Sequence, residues 1–305
     1  GLGADRTGGA QHADGFQTVP AGEASLPLEG LRLACLAPRS IDGAIAMARE
    51  HWRSGLGFVL AAAGSAVGLG NLWGFAYRAS QGGGAAFLLL YLLIVLVVCM
   101  PVLVAEMILG RSTGKSPISA PVQVAGIRWQ PMGWLFVIAA CGILAFYAVL
   151  MGWTAHTFIH SLFFGLPSNM EEAKAFFGSV STGHSVLFGQ LLSLVLTGIV
   201  VSAGIRGGIE RLTRWCMPAL FLLLLVLACW AATLPGAWDG YRTFLLKWDT
   251  NQLFDPSTIR NAFTQAFFSI GTGIGCILAY SAYLDRRNHL PREAVAVVGM
   301  DTAVG

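Results

Sequence analysis

Charged residues are scarce in this sequence: Asp, Glu, Lys and Arg together make up only 11% of its 305 residues. A soluble domain carries about 25% charged residues, so this chain cannot cover a water-facing surface, and a soluble enzyme is excluded. The net charge of +3 is small and no basic tract is present, which argues against a nucleic-acid partner. Disorder over most of the chain is excluded as well, because disorder requires low hydrophobicity and high net charge.

Three other patterns are missing. No pair among the six cysteines has the Cys-x-x-Cys spacing of a metal or redox site. No basic start followed by a short apolar stretch marks a signal peptide. The apolar runs are continuous, whereas the strands of a membrane barrel alternate between apolar and polar residues. The sequence therefore predicts an all-α integral membrane protein that is surrounded by a lipid bilayer.

Long apolar runs begin only after residue 54, although hydrophobic residues make up 55% of the whole chain. Residues 1–48 are rich in Gly, Ala and Pro and are predicted to be a flexible or non-native tail, whereas 49–305 form the membrane region. Both ends of the sequence look like cuts, so we expect a longer native protein. A spanning helix needs about 20 apolar residues. Six complete spans and a truncated seventh, named first to seventh below, are predicted at 55–79, 85–109, 133–164, 185–204, 213–234, 259–284 and 292–305.

Basic residues in the loops set the predicted orientation, because cytoplasmic loops are enriched in Lys and Arg. With the N-terminus in the cytoplasm, eleven basic residues flank the spans on that side: Arg49, Arg53, Arg111, Lys115, Arg128, Arg206, Arg211, Arg214, Arg286, Arg287 and Arg292. The opposite side has five, namely Arg78, Lys174, Arg242, Lys247 and Arg260. The sequence therefore predicts a cytoplasmic N-terminus. As a separate expectation, independent of this count, the membrane is a plasma membrane of the bacterial inner-membrane type.

Closely spaced glycines interrupt two of the predicted spans. They are Gly64, Gly68 and Gly70 in the first span and Gly271, Gly273 and Gly275 in the sixth. Each glycine inside a helix costs about 1 kcal/mol relative to Ala, so unwinding is favoured there; close packing of small residues is the alternative. In a bilayer, unwound backbone is tolerated where it lines a cavity. Broken spans at matching places in two halves of a chain point to the binding site of a transporter.

Six blocks of sequence resemble the neurotransmitter:sodium symporter family, in the order in which that family has them. The first four are Arg49-Glu-His-Trp52, Gly64-Ser-Ala-Val-Gly-Leu-Gly-Asn-Leu-Trp73, Gln81-Gly-Gly-Gly84 and Glu106-Met-Ile-Leu-Gly-Arg111. The last two are Gly208-Ile-Glu-Arg211 with Met217-Pro218, and Gln265-Ala-Phe-Phe-Ser269 with Gly273 and Gly275. The resemblance covers 49–305.

This resemblance implies a five-plus-five inverted repeat with broken first and sixth spans. The chain would hold the first five-helix repeat and the start of the second. It also implies sodium-coupled symport of an amino acid by alternating access, with no catalysis. Chloride dependence stays open, because Tyr91 and Gln265 match chloride-binding positions but Gly305 matches neither the Ser of chloride-dependent members nor the acid of the others. The oligomeric state stays open too, with a homodimer as one option.

Two sodium sites are implied by the same resemblance. The first takes the carbonyl of Ala66 and the side chains of Asn71, Ser269 and Asp301. Asp301 departs from the bacterial leucine-transporting members, which have Asn there. A carboxylate would be a harder, charged ligand, whereas the alternative is a carboxylate exposed at a helix end. The second site takes the carbonyls of Gly64 and Val67, with further ligands from an eighth span.

Gly68 carries the expectation about the substrate. Monoamine-transporting members of the family have Asp at this position, whereas Gly leaves room for the carboxylate of an amino acid. Tyr147 matches the tyrosine whose hydroxyl holds that carboxylate, and Phe268 would cap the substrate from outside. The substrate-binding residues that the resemblance implies are Ala66, Gly68, Ile143, Tyr147, Phe268, Ser269 and Gly271.

Gating residues are implied on both sides of the site. Arg49 and Trp52 match the cytoplasmic gate. On the outer side most members have Arg where this chain has Gly74, so Arg78, one helical turn later, is the predicted substitute. Glu106 is expected to stabilise the free backbone of the broken sixth span, or else to pair with a nearby arginine, Arg111.

Two other functions compete with symport. His156 and His160 are four residues apart and share a helix face, so they could bind iron or zinc in a membrane metalloenzyme. A metal site needs further ligands, and His184 is the only other histidine nearby, which makes this alternative the less favoured one. The second alternative is a fragment or membrane partner that does not transport.

Overall fold

The computed structural model of the protein describes residues 50–68, 70–182 and 185–305. The predicted tail at 1–48 lies outside the described residues, as do Arg49 and His184. Helices and connecting loops make up the described part, and no strand occurs in it. The α-helices are Gly55–Ala66, Ala76–Gln81, Ala85–Ile94, Met100–Thr113, Ser119–Ala125, Gln130–Phe164, Met170–Thr182, Ser185–Ser202, Glu210–Ala232, Ala237–Tyr241, Thr250–Leu253, Pro256–Ile270, Cys276–Ser281 and Leu290–Val304. Wider π-helical turns occupy Gly70–Phe75, Val95–Cys99, Ile205–Ile209 and Arg242–Leu246, and a 3-10 turn occupies Ile127–Trp129.

Every predicted span coincides with a helix or with a pair of helices. Among the described residues, three helices are long and apolar enough to cross a bilayer alone, at Ala85–Thr113, Ile127–Phe164 and Ile205–Ala232. Two bent helix pairs raise that number to five. One pair is the first span, and the other joins the fourth span to the helix Met170–Thr182, which was not predicted.

The first span breaks after Ala66. Val67 is extended, with φ −69° and ψ 110°, and the helix resumes at Gly70. The two halves are bent by 60°. Gly64 differs from the expectation because it stays helical: a β-carbon there would lie 3.0 Å from the sulfur of Met217, so this glycine serves close packing.

The sixth span breaks between Ile270 and Cys276, where its three glycines lie. Gly271, Gly273 and Gly275 have φ of +68°, +82° and +79°, in the left-handed region that disfavours other residues. The predicted unwinding is therefore present in both interrupted spans.

One hydrophobic core joins the first, second, sixth and seventh spans. Its largest fully buried side chains include Phe58, Phe87, Tyr91, Leu103 and Ile277. The third span packs against the fourth instead, and most of its apolar side chains are exposed in this chain. The two broken spans are thus held against the second and seventh spans, and the third closes the site from the other side.

Candidate functional site between the broken spans

A cavity of about 360 Å³ lies where the breaks of the first and sixth spans face the third span. Its wall is mostly apolar, and the described residues that line it include no acidic or basic side chain. The lining residues are Gly64, Ser65, Ala66, Val67, Gly68, Ala140, Ile143, Leu144, Tyr147, Phe268, Gly271, Ile274 and Cys276. Six of the seven expected substrate-binding residues are in this wall; Ser269 is not.

Gly68 and Tyr147 face each other across one end of the cavity. A β-carbon on Gly68 would come within 3.3 Å of the Tyr147 hydroxyl. The Tyr147 ring stacks on Phe268, with ring centres 6.3 Å apart and planes inclined by 16°. A small polar group of a ligand would therefore contact the Tyr147 hydroxyl and the backbone of Gly68. An apolar group would contact the rings of Tyr147 and Phe268.

Three buried polar side chains from three spans meet behind Gly68. Asn71 Nδ2 donates to Ser269 Oγ at 2.8 Å and to Asp301 Oδ1 at 2.7 Å. The Ser269 hydroxyl donates to Asp301 Oδ2 at 2.6 Å, and Asn71 Oδ1 accepts from the Gly68 N–H at 3.3 Å. We name Asn71, Ser269 and Asp301 the polar cluster.

Burial makes this polar cluster chemically informative. Asp301 is fully buried, and Asn71 and Ser269 are almost so. The expected alternative, a carboxylate exposed at a helix end, is therefore wrong for Asp301. A buried carboxylate is costly unless it is hydrogen-bonded or paired with a positive charge. The two carboxylate oxygens and the Ser269 hydroxyl are hard oxygen donors, and rotation of the Asn71 amide would add a third kind of oxygen for a cation.

Glu106 connects the second span to the break of the sixth. Its Oε1 accepts from the Gly273 N–H at 2.6 Å, and the side chain is only 7% exposed. Arg111, the other expected partner, donates instead to the carbonyl of Asn288 at 2.7 Å. Glu106 thus satisfies a backbone donor that unwinding of the sixth span leaves without an intrahelical acceptor.

Trp52 anchors the start of the first span to the end of the sixth. Its indole Nε1 donates to the Tyr280 carbonyl at 2.9 Å, and its own N–H donates to the Tyr283 carbonyl at 3.2 Å. The ring is buried against Phe58 and Tyr280. The expected cytoplasmic gate consists of Arg49 and Trp52, and of these two Trp52 lies within the described residues.

Arg78 reaches the sixth span on the opposite side of the site. Its Nη1 donates to Gln265 Oε1 at 3.0 Å, and Gln265 Nε2 donates to the Gly70 carbonyl at 3.3 Å. Gly74 faces the same glutamine, since a β-carbon there would lie 3.8 Å from Gln265 Oε1. Arg78, one helical turn after Gly74, therefore contacts the same Gln265 side chain that Gly74 faces.

Five lining residues were not expected from the sequence: Ser65, Ala140, Leu144, Ile274 and Cys276. A usable signal existed for two of them, because Ala140, Ile143, Leu144 and Tyr147 recur at helical spacing on one face of the third span. Ile274 and Cys276 depend on the path of the unwound glycines, which no periodicity reports.

The histidine pair lies away from this cavity. The ring centres of His156 and His160 are 6.4 Å apart. His156 stacks on Phe176 of the helix Met170–Thr182, and His160 contacts the same ring with its plane tilted by 51°. No group of three or more His, Cys, Asp or Glu side chains that could hold a metal ion occurs within 50–68, 70–182 and 185–305.

A ligand cavity at the meeting point of two broken membrane helices defines the class of secondary transporters. Comparison with known proteins identifies the family: the profile of the Sodium:neurotransmitter symporter family matches residues 49–176 and 178–304. The chain belongs to this family, and it is an integral membrane protein.

Curated relatives include uncharacterized sodium-dependent transporters. One, from Methanocaldococcus jannaschii, is 36% identical over 264 residues, which are 82% of this chain and 52% of the relative. Another, YhdH of Bacillus subtilis, is 38% identical over 258 residues, with 83% and 56% covered. The mouse sodium- and chloride-dependent GABA transporter 2 is 26% identical over 302 residues, with 86% and 50% covered. The chain thus spans about half the length of the curated relatives it matches.

Among solved structures, the crystal structure of MhsT in complex with L-phenylalanine superposes with a TM-score of 0.77. The two chains are 38% identical, and the match covers 84% of this chain and 58% of that one. The all-helical fold with its broken spans is therefore that of the family.

Proposed function

We propose that this chain forms the substrate-binding and sodium-binding part of a sodium-coupled amino-acid symporter. The observation that carries the proposal is the position of Gly68, which lines the cavity and also bonds to Asn71 of the polar cluster. One backbone segment therefore joins a small-molecule cavity to a buried set of oxygen donors.

The substrate would be oriented by its two unlike ends. Its carboxylate would lie beside Gly68 and the Tyr147 hydroxyl, where it could also contribute an oxygen to the cation at the polar cluster. Its side chain would lie among Ile143, Phe268 and Gly271. Because no charged side chain occurs among the described residues of the cavity wall, an uncharged amino-acid side chain fits it best. L-Phenylalanine, the ligand in the MhsT structure, is the natural probe.

Sodium would be the second substrate of the symporter. Asp301, Asn71 and Ser269 with the Ala66 carbonyl would hold one ion, and the Gly64 and Val67 carbonyls would contribute to another. A cation at the polar cluster offsets the buried charge of Asp301, so ion and substrate favour each other's binding. Alternating access would then proceed around this site, with Trp52 on the cytoplasmic side and Arg78 on the outer side.

We place the N-terminus in the cytoplasm and the protein in a plasma membrane of the bacterial inner-membrane type. A homodimer and chloride coupling are additional hypotheses, the second because Tyr91 lies 3.5 Å from Ser269 Oγ and Gln265 lies one turn before it.

Equilibrium binding of radiolabelled L-phenylalanine to the purified chain tests the proposal. We expect saturable binding in sodium chloride that falls at least tenfold when choline replaces sodium. Binding that stays unchanged when gluconate replaces chloride would show that sodium is required and chloride is not. Binding that does not depend on sodium would contradict the proposal, and absence of binding to any of a panel of amino acids would favour the non-transporting alternative.

A further inference from the structure

Four arginines line one cavity of about 440 Å³ at the end of the molecule where the first and fifth spans begin. This cavity shares no lining residue with the proposed transport site. We name it the arginine cavity; its lining residues are Arg53, Arg206, Gly207, Arg211, Arg214 and Trp215.

Acidic side chains compensate only part of this charge. Glu210 is 1% exposed, and it accepts from Arg214 Nη2 at 2.8 Å and from the Arg53 N–H at 3.0 Å. Glu50, at the edge, accepts from the Ile205 N–H at 2.6 Å. Two carboxylates against four guanidinium groups leave the arginine cavity positive within the described part of the chain, so it favours an anion.

Several guanidinium N–H groups are available to such an anion. Within residues 50–68, 70–182 and 185–305, the side chains of Arg53 and Arg211 have no hydrogen-bond acceptor, and Arg206 uses only its Nε, on the His51 carbonyl. Gly207 adds open backbone, since a β-carbon there would meet no atom within 4 Å. Planar, forked guanidinium groups match the oxygens of phosphate, which they bind in pairs.

The surroundings of the arginine cavity indicate what kind of molecule carries the phosphate group that it would bind. Trp215 is 76% exposed at the start of the apolar helix Glu210–Ala232, and tryptophan in such a place marks the membrane interface. Further along, Leu222 and Leu223 are exposed on the same helix. A ligand with a phosphate head and apolar tails therefore fits both parts of the surface. We propose that the arginine cavity binds the phosphate headgroup of an anionic phospholipid.

Native mass spectrometry of the purified chain in detergent tests this site with phosphatidylglycerol as the probe and phosphatidylcholine as the zwitterionic comparison, in which a choline group balances the phosphate charge. The variant is Arg53→Gln with Arg211→Gln, which leaves the buried Glu210–Arg214 pair intact. The matched control is Arg128→Gln with Arg242→Gln, two exposed arginines outside the cavity. Thermal unfolding of all three proteins shows whether the substitutions alter folding.

We expect the wild type and the control to retain phosphatidylglycerol at least tenfold more tightly than phosphatidylcholine. The cavity variant should lose roughly 25-fold in affinity, from about fivefold for each of the two arginines near an anionic lipid surface. Equal retention of both lipids, or equal phosphatidylglycerol affinity in variant and wild type, would overturn the proposal. If micromolar inorganic phosphate displaces the lipid from the wild type, the cavity is a site for soluble phosphate and the lipid source is wrong. Because sodium-dependent amino-acid binding is measured separately, failure here leaves the transport proposal untouched.

Discussion

The hydroxyl of Tyr147 lies so close to Gly68 that a side chain at position 68 would come within 3.3 Å of it. The third span therefore limits what the first break can accommodate, and the absence of a side chain leaves that space to a ligand. This relationship gives the most direct test of where the substrate lies.

Gly68→Asp should abolish binding of a carboxylate substrate. The new carboxylate would occupy the space beside Tyr147 and repel the substrate carboxylate, and like charges in contact cost several kcal/mol. We expect more than a 100-fold loss of L-phenylalanine affinity in equilibrium binding. Gly142→Ala, also on the third span but with no atom within 4 Å of its β-carbon, is the control and should bind normally. Unchanged affinity in Gly68→Asp would show that the substrate lies elsewhere.

Asp301→Asn should weaken sodium binding more than substrate binding at saturating sodium. The substitution keeps the shape of the side chain and removes its charge, and hydrogen bonds and contacts to a charged group contribute about 1.5–3 kcal/mol. The sodium concentration for half-maximal L-phenylalanine binding should therefore rise roughly 10- to 100-fold. Asp285→Asn, an exposed carboxylate that accepts from the Arg287 N–H, should leave this concentration unchanged. An equal sodium dependence in both variants contradicts the assignment of Asp301.

Glu106→Ala should destabilise the folded protein. It leaves the Gly273 N–H without the carboxylate that accepts from it, and an unsatisfied buried donor costs about 1–3 kcal/mol. Thermal unfolding in detergent should show a lower Tm, and Glu106→Gln, which keeps an acceptor oxygen, should recover part of the loss. The control is Glu171→Ala on the exposed face of the helix Met170–Thr182. A Tm that is the same in all three variants would mean that Glu106 does not support the break.

The double substitution His156→Ala with His160→Ala decides the metalloenzyme alternative. These rings pack against Phe176 and lie outside the cavity, so sodium-dependent L-phenylalanine binding should change less than twofold. Elemental analysis of the purified wild type should find less than a tenth of an equivalent of iron or zinc. A stoichiometric metal that disappears in the double variant would support the histidine pair as a metal site.

Much of the fold could be predicted because the bilayer imposes strict rules on a sequence. Backbone groups in lipid must bond internally, so apolar runs of about 20 residues are helices. The breaks were predictable because alternate glycines such as Gly271 and Gly273 make a helix expensive. Gly64 shows the limit of this argument, since its role in packing depends on Met217, a residue from another span.

The helix Met170–Thr182 was missed for a different reason. Its polar residues include Glu171, Glu172 and Lys174, so it lacks the apolar run by which membrane helices are recognised. Side-chain partners were also hard to predict: Arg78 was expected at the outer gate, but nothing in the sequence indicated that it would donate to Gln265. Such pairings depend on the angle between broken helices, which local sequence does not encode.

The breaks also change the electrostatics of the polar cluster. A helix carries roughly half a negative elementary charge at its C-terminal end. The helix Gly55–Ala66 ends two residues before Gly68, and the helix Pro256–Ile270 ends one residue after Ser269. Two helix dipoles therefore direct their negative ends toward the place where Asp301 is buried. An uninterrupted first and sixth span would carry those ends to the membrane surface, and a cation beside Asp301 would then lose the stabilisation that the two dipoles add.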